Sequence, residues 1–271
     1  MTDLIDVERA GQILTIGLNR PDKKNALNTE MFRTLSSAYT ELCDDPELRC
    51  GVLYSKAELF TAGIDLLDMG PALMGQEGET GRSMTEDDQV DPFNWGSIAG
   101  KVGRLRTTPM ITAIHGQCLT AGIELAMSTD IVVAEEDATF SQGEVRRGLI
   151  PLGGAIERFT TRFGWNNAMR WLLTGDTFDA QEAVRMGLVQ ELTPKGEALA
   201  RAMQIAERVA AVAPLGVKGT LANAFVAALD GPTAAAEHLR PFVLDNLSES
   251  KDLQEGIASM FERRPPKFVG A

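Results

Sequence analysis

The sequence predicts an α/β protein, with a body of mixed strands and helices followed by a helical C-terminal part. Two observations carry this. Strand-like and helix-like apolar patterns alternate from Leu4 to Gly153, and beyond Gly153 the periodicity is almost entirely helical. With 271 residues, 44% of them hydrophobic, the chain can bury a full-size core, and it divides into a body over 1–195 and a helical part over 196–271.

Leu4 to Val7 and Gln12 to Leu18, separated by Ala10-Gly11, read as an opening hairpin. Asn28 is placed to cap a helix whose apolar residues Met31, Phe32, Leu35, Ala38 and Leu42 recur at the helical period. Gly51 to Tyr54 forms a short β run. Gly70 to Asp91 is glycine-rich and acidic without sustained period, which predicts a long loop, and Phe93 to Arg106 reads as helical. Met110 to Ile114 and Ile131 to Ala134 are buried strands flanking a helix from Ala121 to Ser128. Then come helices over Gly154 to Phe163, Asn167 to Leu173, Ala180 to Met186, Glu197 to Val212, Leu215 to Leu229 and Asp252 to Arg263, with Leu188 to Leu192 as the one strand among them.

Composition narrows the function. The net charge of -12, from 26 basic and 38 acidic residues, opposes general attraction to nucleic acid or to an anionic membrane. Cys43, Cys50 and Cys118 are odd in number and form no C-x-x-C pair, which suits a reducing cytoplasm better than a disulfide framework or zinc ribbon. No basic segment followed by an apolar one opens the chain. The longest uncharged stretch, Thr107 to Ile123, is broken by Pro109, His115, Gly116 and Gln117, so a soluble protein is expected. There is no G-x-S-x-G elbow, no H-E-x-x-H and no phosphate-binding P-loop; Gly96 to Lys101 has the wrong spacing and runs into Val102. With only His115 and His238, a histidine metal site is not expected.

Two segments place a strand before a helix entrance: Phe60-Thr61-Ala62-Gly63-Ile64-Asp65, and Gly116 through Glu124. The first N–H groups of a helix lack internal partners and carry the positive end of its dipole, so they can hold an oxyanion. Two donors converging on a thioester oxygen would stabilise an enolate, an effect of about 3 to 4 kcal/mol per donor removed. Each turn alone reads more readily as a tight connection without a ligand. Glu124 falls among Ala121, Ile123, Leu125 and Ala126, where a carboxylate is costly unless used or paired. Glu144 follows Phe140-Ser141-Gln142-Gly143, ahead of the turn Gly148 to Gly154; taken alone, a glutamate there reads as a solvated one.

Taken together, Leu18-Asn19-Arg20-Pro21 with Asn25-Ala26-Leu27-Asn28, then F-T-A-G-I-D, A-G-I-E-L-A-M-S-T-D, and F-S-Q-G-E followed by G-L-I-P, resemble the crotonase (enoyl-CoA hydratase/isomerase) superfamily. Leu173-Thr174-Gly175, Gly187-Leu188-Val189 and Phe261 to Arg264 extend the resemblance. It implies a spiral of repeated ββα units with a helical trimerisation part, oxyanion-hole N–H groups at Ile64 and Ala121, and a hydratase acid/base pair at Glu124 and Glu144. It also implies an acyl-CoA substrate held along Lys24, Asn25, Ala26 and Leu27 and along Ala62, Gly63 and Asp65. A homotrimer or dimer of trimers, and no metal or separate cofactor, complete the expectation. The chemistry agrees: syn hydration needs a base to activate water and an acid to protonate the α-carbon, and two glutamates flanking one water supply both.

Four positions depart from the family pattern. Leu67 stands where many hydratases have a lysine, Leu152 where glycine is frequent, and Arg146-Arg147 where apolar residues are usual. Phe93 and Trp95 are expected to border the acyl pocket. An enoyl-CoA isomerase and a catalytically idle acyl-CoA-binding subunit are the competing readings. A ClpP-like protease lacks a matching serine and histidine.

Overall fold

The computed structural model describes residues 4–73, 88–93 and 103–271. Most of the expected long loop, most of the expected helix over 93–106, and Trp95 lie outside them. Gly103 to Arg106 are not helical; Arg104 instead bridges to Val90.

Strands β1 (Ile5–Ala10) and β2 (Ile13–Leu18) form the antiparallel hairpin, and β3 (Cys50–Ser55), β4 (Met110–Ile114), β6 (Ile131–Glu135) and β9 (Glu191–Thr193) continue in parallel, giving the order β1-β2-β3-β4-β6-β9. The central strands are apolar on both faces, as a sheet covered on both sides requires. Met110 and Ile114 of β4 point into one core, while Ile111 and Ala113 point into the other. Helix α1 (Thr29–Asp44) packs its stripe of Met31, Phe32, Leu35, Ala38 and Leu42 into the first core, and Asn28 caps it by accepting from Met31 N at 3.1 Å. Helix α7 (Ala198–Ala210) covers the second face through Ala198, Ala202, Ile205, Ala206 and Ala210. The sequence division after residue 195 puts α7 with the C-terminal part, whereas its contacts are with β2, β3, β4, β6 and β9.

A smaller sheet, β5 (Gln117–Leu119), β7 (Thr139–Ser141) and β8 (Phe178–Asp179), is too short for hydrophobic periodicity to mark. It reveals the repeat. β3, β4 and β6 are neighbours in the large sheet, and each is followed by a second extended segment: Thr61, then β5, then β7. These are also parallel neighbours, with Thr61 bridged to Cys118 and Cys118 paired with Phe140. A helix follows each: α2 (Leu66–Leu73), α3 (Ala121–Ser128), and, after a 3₁₀ turn over Glu144–Arg147, α4 (Ala155–Phe163). The architecture is thus the expected spiral of ββα turns. α5 (Trp165–Leu172) and α6 (Ala180–Met186) close the body.

Beyond α7 lie α8 (Pro214–Leu229), α9 (Pro232–Phe242), a π turn over Val243–Leu247 and α10 (Lys251–Glu262). α9 is missing from the sequence reading because Pro241 and three consecutive alanines blur its period. No single described helix is long and apolar enough to cross a membrane.

Candidate functional site

Because the three ββα turns stack in register, their strand-to-helix junctions coincide. Three residues after Thr61 comes Ile64, three after Cys118 comes Ala121, and four after Phe140 comes Glu144. A cavity of about 430 Å³ opens at this junction, lined among the described residues by Ala62, Ile64, Thr120, Glu124, Glu144 and Leu152, and also by Arg146, Arg147, Leu149 and Ile150.

Ile64 N–H and Leu152 N–H have no acceptor among the described residues. Ala121 is fully buried as the first residue of α3, where no intrahelical acceptor exists for its N–H. The turn feeding it is strained, since Thr120 adopts φ 49° and ψ −116°, a region few β-branched residues occupy. Backbone bonds hold it there: Thr120 N donates to Ser141 O at 2.8 Å, and Thr120 O accepts from Ile123 N at 2.9 Å and Glu124 N at 3.3 Å. A Cβ on Gly63, which itself has φ +99°, would stand 1.8 Å from Thr120 Oγ1. Only glycine lets the two junctions approach so closely. Thr120 escaped sequence reasoning because a threonine before a helix reads as an ordinary cap, although it makes no side-chain cap here.

The segment Lys24 to Leu27 bonds to the loop that carries Ile64 as well as to residues 18–23. Leu27 N donates to Gly63 O at 2.7 Å, Asp65 N to Leu27 O at 2.9 Å, and Ala62 N to Lys24 O at 3.0 Å. Asn25 is wholly buried, in the left-handed region at φ 51°; its Nδ2 donates to Ser55 Oγ at 2.8 Å and Phe60 O at 3.0 Å. Leu27 belongs to the core, and Asp65 accepts from Arg20 Nη1 at 2.7 Å. Of the residues expected to touch CoA, Asn25, Leu27 and Asp65 therefore spend their side chains on the scaffold. Ala62 faces the cavity, Gly63 forms its turn, Lys24 is exposed and Ala26 half-buried beside it.

Glu124 is 1% exposed. Its Oε1 accepts from Gly153 N at 2.7 Å and Ala155 N at 3.1 Å, so the carboxylate sits on the N-terminus of α4. A Cβ on Gly153 would lie 2.7 Å from Glu124 Oε2 and 2.8 Å from the Phe93 ring. The Phe93 ring thus packs close to Gly153 and Glu124, although it is not among the described residues that line the cavity. Arg158, almost wholly buried, donates to Gly153 O at 3.1 Å and to Phe93 O, clamping the same turn. Sequence gave no sign of this cation, because a single arginine in an amphipathic helix reads as solvated. Glu144 is half-buried; its Oε1 accepts from Gln142 Nε2 at 2.8 Å, while Oε2 is buried without a partner among the described residues.

Both carboxyls are pushed up to about 7: Glu124 by burial, against its two backbone donors, and Glu144 by burial and then by the charge of Glu124. Two such groups facing one cavity near neutral pH can hold one proton between them, taking one and giving another.

His115 bonds the Ala57 carbonyl at 2.7 Å through Nε2, and His238 bonds Asn223 at 3.0 Å, so each has a local structural partner. Cys43, Cys50 and Cys118 are buried free thiols. Among the described residues no group of three or more His, Cys, Asp or Glu could hold a metal ion. Leu67 is 90% exposed and Leu152 lines the cavity.

Two carboxyls facing one cavity, beside backbone N–H groups that have no acceptor among the described residues, are placed to exchange protons with a bound group, and they are carried by a ββα spiral. The family model for enoyl-CoA hydratase/isomerase matches residues 8–271, and the chain belongs to that family. It is 32% identical to enoyl-CoA hydratase EchA19 of Mycobacterium tuberculosis, covering 97% of this chain and 95% of the relative. It is also 32% identical to the 2,3-dehydroadipyl-CoA hydratase of Escherichia coli over the full length of both. A solved probable enoyl-CoA hydratase/isomerase from Mycobacterium abscessus superposes with a TM-score of 0.91 at 44% identity, covering 99% of each chain.

Proposed function

We propose that this chain hydrates a trans-2-enoyl-CoA to a 3-hydroxyacyl-CoA. The observation that carries the reading is the opening of Glu124 and Glu144 onto one cavity at the junction that also holds the Ile64 and Ala121 N–H groups. The thioester oxygen accepts from those two donors, which draws electron density from the β-carbon and leaves it electrophilic. Glu124, held on two backbone N–H groups that favour its charged form, takes a proton from water as the water oxygen bonds the β-carbon. Glu144, whose burial and whose neighbour's charge favour its protonated form, delivers its proton to the α-carbon from the same face. The Leu152 N–H is available to the attacking water. Polarisation comes from backbone donors, so the reaction calls for no metal or redox cofactor.

Lys24 and Ala26, beside the oxyanion loop, are offered as the CoA contacts. The exposed apolar residues Leu239, Leu244, Leu253, Ile257, Met260 and Phe261 of the C-terminal helices support association of copies, read as a trimer or dimer of trimers in the cytoplasm.

Loss of enoyl absorbance on mixing with enoyl-CoA esters of graded length tests the reaction. Glu124→Gln and Glu144→Gln should each lower hydration about 100-fold or more while acyl-CoA binding persists. An isomerase would keep most of its activity on a 3-enoyl ester in one of the two variants. An idle binding subunit would leave the whole panel unreacted.

A further inference from the structure

The 3₁₀ turn that carries Glu144 ends at Arg147. Residues three apart eclipse in a 3₁₀ helix, so Arg147 stands on the face of the turn that presents Glu144, and both line the cavity. They form no ion pair with each other. The neighbouring cation is compensated: Arg146 pairs with Asp176 and donates to Thr174 O at 3.0 Å, and Asp176 is shared with Arg170 at 2.7 Å. Arg147 has no hydrogen bond or ion pair among the described residues, and it is exposed. Arg147 is thus a cation on the cavity wall that no described carboxylate neutralises, and it can pair with an anionic group of a bound molecule.

The position of that anion follows from the proposed function, on which this inference rests. The thioester oxygen lies between Ile64 and Ala121, and the reacting carbons lie at Glu124 and Glu144. An acyl chain continuing beyond Glu144 meets the rest of the same turn. The same cavity is lined by Thr139, Ser141 and Thr177 as well as by Leu149 and Ile150. We propose that Arg147 recognises a carboxylate at the far end of the acyl chain, so that enoyl-CoA esters of dicarboxylic acids are preferred substrates.

Two enoyl-CoA esters of equal length, one ending in methyl and one in carboxylate, test this with the full chain, Arg147→Gln and Arg147→Lys. The ratio of kcat/KM for the carboxylate ester over the methyl ester should exceed one in the parent, fall roughly tenfold or more in Arg147→Gln, and recover in part in Arg147→Lys, as expected for loss of a charge-assisted hydrogen bond. An unchanged ratio in Arg147→Gln overturns the proposal. So does an equal loss on both CoA esters that disappears with pantetheine thioesters, which would assign the guanidinium to the nucleotide phosphates. Binding of the two saturated acyl-CoA analogues separates this inference from the reaction. If neither enoyl ester is hydrated, the hydratase reading fails, while a carboxylate preference in binding that depends on Arg147 still supports the present one and its absence refutes it.

Discussion

Replacing Glu124 with glutamine separates the stability of the fold from its chemistry, and pH reads the separation. Burial raises this carboxyl from 4.5 to about 7, so the folded chain keeps a proton that the unfolded chain releases. Between those two values the native state binds more protons than the unfolded state, and stability falls as pH rises. At about 1.4 kcal/mol per pH unit, the full cost, reached above pH 7, is roughly 3 kcal/mol. Glutamine carries no such cost. Its Oε1 can keep a bond from Gly153 N, although its amide nitrogen then needs an acceptor, a penalty of about 1 to 3 kcal/mol that does not vary with pH. Glu144 adds to the trend, because the charge that helps raise its carboxyl is gone in the same variant. The difference in unfolding free energy between Glu124→Gln and the parent should therefore move in favour of the variant by roughly 2 to 3 kcal/mol between pH 5 and pH 8.5. Paired denaturant melts at the two pH values measure it. A difference that stays constant with pH would show that burial of this carboxylate does not strain the fold, and the acid/base argument built on its raised value would fall with it.

Three further outcomes follow from the same geometry. Hydration should peak near pH 7 and decline on both sides, because the singly protonated pair is most populated where both carboxyls sit near 7; initial rates from pH 5 to 9 check this, and a flat profile contradicts it. Gly153→Ala should cut kcat at least tenfold, since its methyl would stand 2.7 Å from Glu124 Oε2 and against Phe93; steady-state kinetics beside an unaltered circular dichroism spectrum would isolate the effect. Asn25→Ala should destabilise the protein by about 2 to 4 kcal/mol. It removes the Ser55 and Phe60 bonds, strands the Arg20 N–H that Asn25 Oδ1 accepts at 2.7 Å, and puts alanine at φ 51°; chemical denaturation gives the value, and a change under 1 kcal/mol would refute the scaffold role.

What could be read from the sequence depended on the range of the interactions. Helix α1 was legible because its cap, Asn28, and its buried stripe are written within sixteen consecutive residues. The three-residue strands β5 and β7 were not, since a strand that short has no period, and only its pairing with a distant neighbour makes it a strand. Glu124 stood out because a carboxylate amid apolar residues is locally improbable, whereas Glu144 acquires significance only beside Glu124. Asn25 shows the same limit from the other side. Its motif pointed to the loop beside Ile64, but that its side chain holds this loop depends on Ser55 and Phe60, 30 and 35 residues away.

The stacking of the ββα turns explains why these distant residues could be assembled at all. Parallel pairing fixes the register of Thr61, Cys118 and Phe140 across three turns, so each strand-to-helix junction arrives at the same height and contributes one part of the site. The first two junctions supply backbone donors, which require only a break in hydrogen bonding and a close approach permitted by Gly63 and the strained Thr120. The third supplies a side chain, and its 3₁₀ geometry commits the residue three positions on to the same face. Backbone donors tolerate almost any side chain, while the third junction does not. Under the reading proposed above, a change at Arg146 or Arg147 can therefore alter the cavity wall without touching the Ile64 and Ala121 N–H groups.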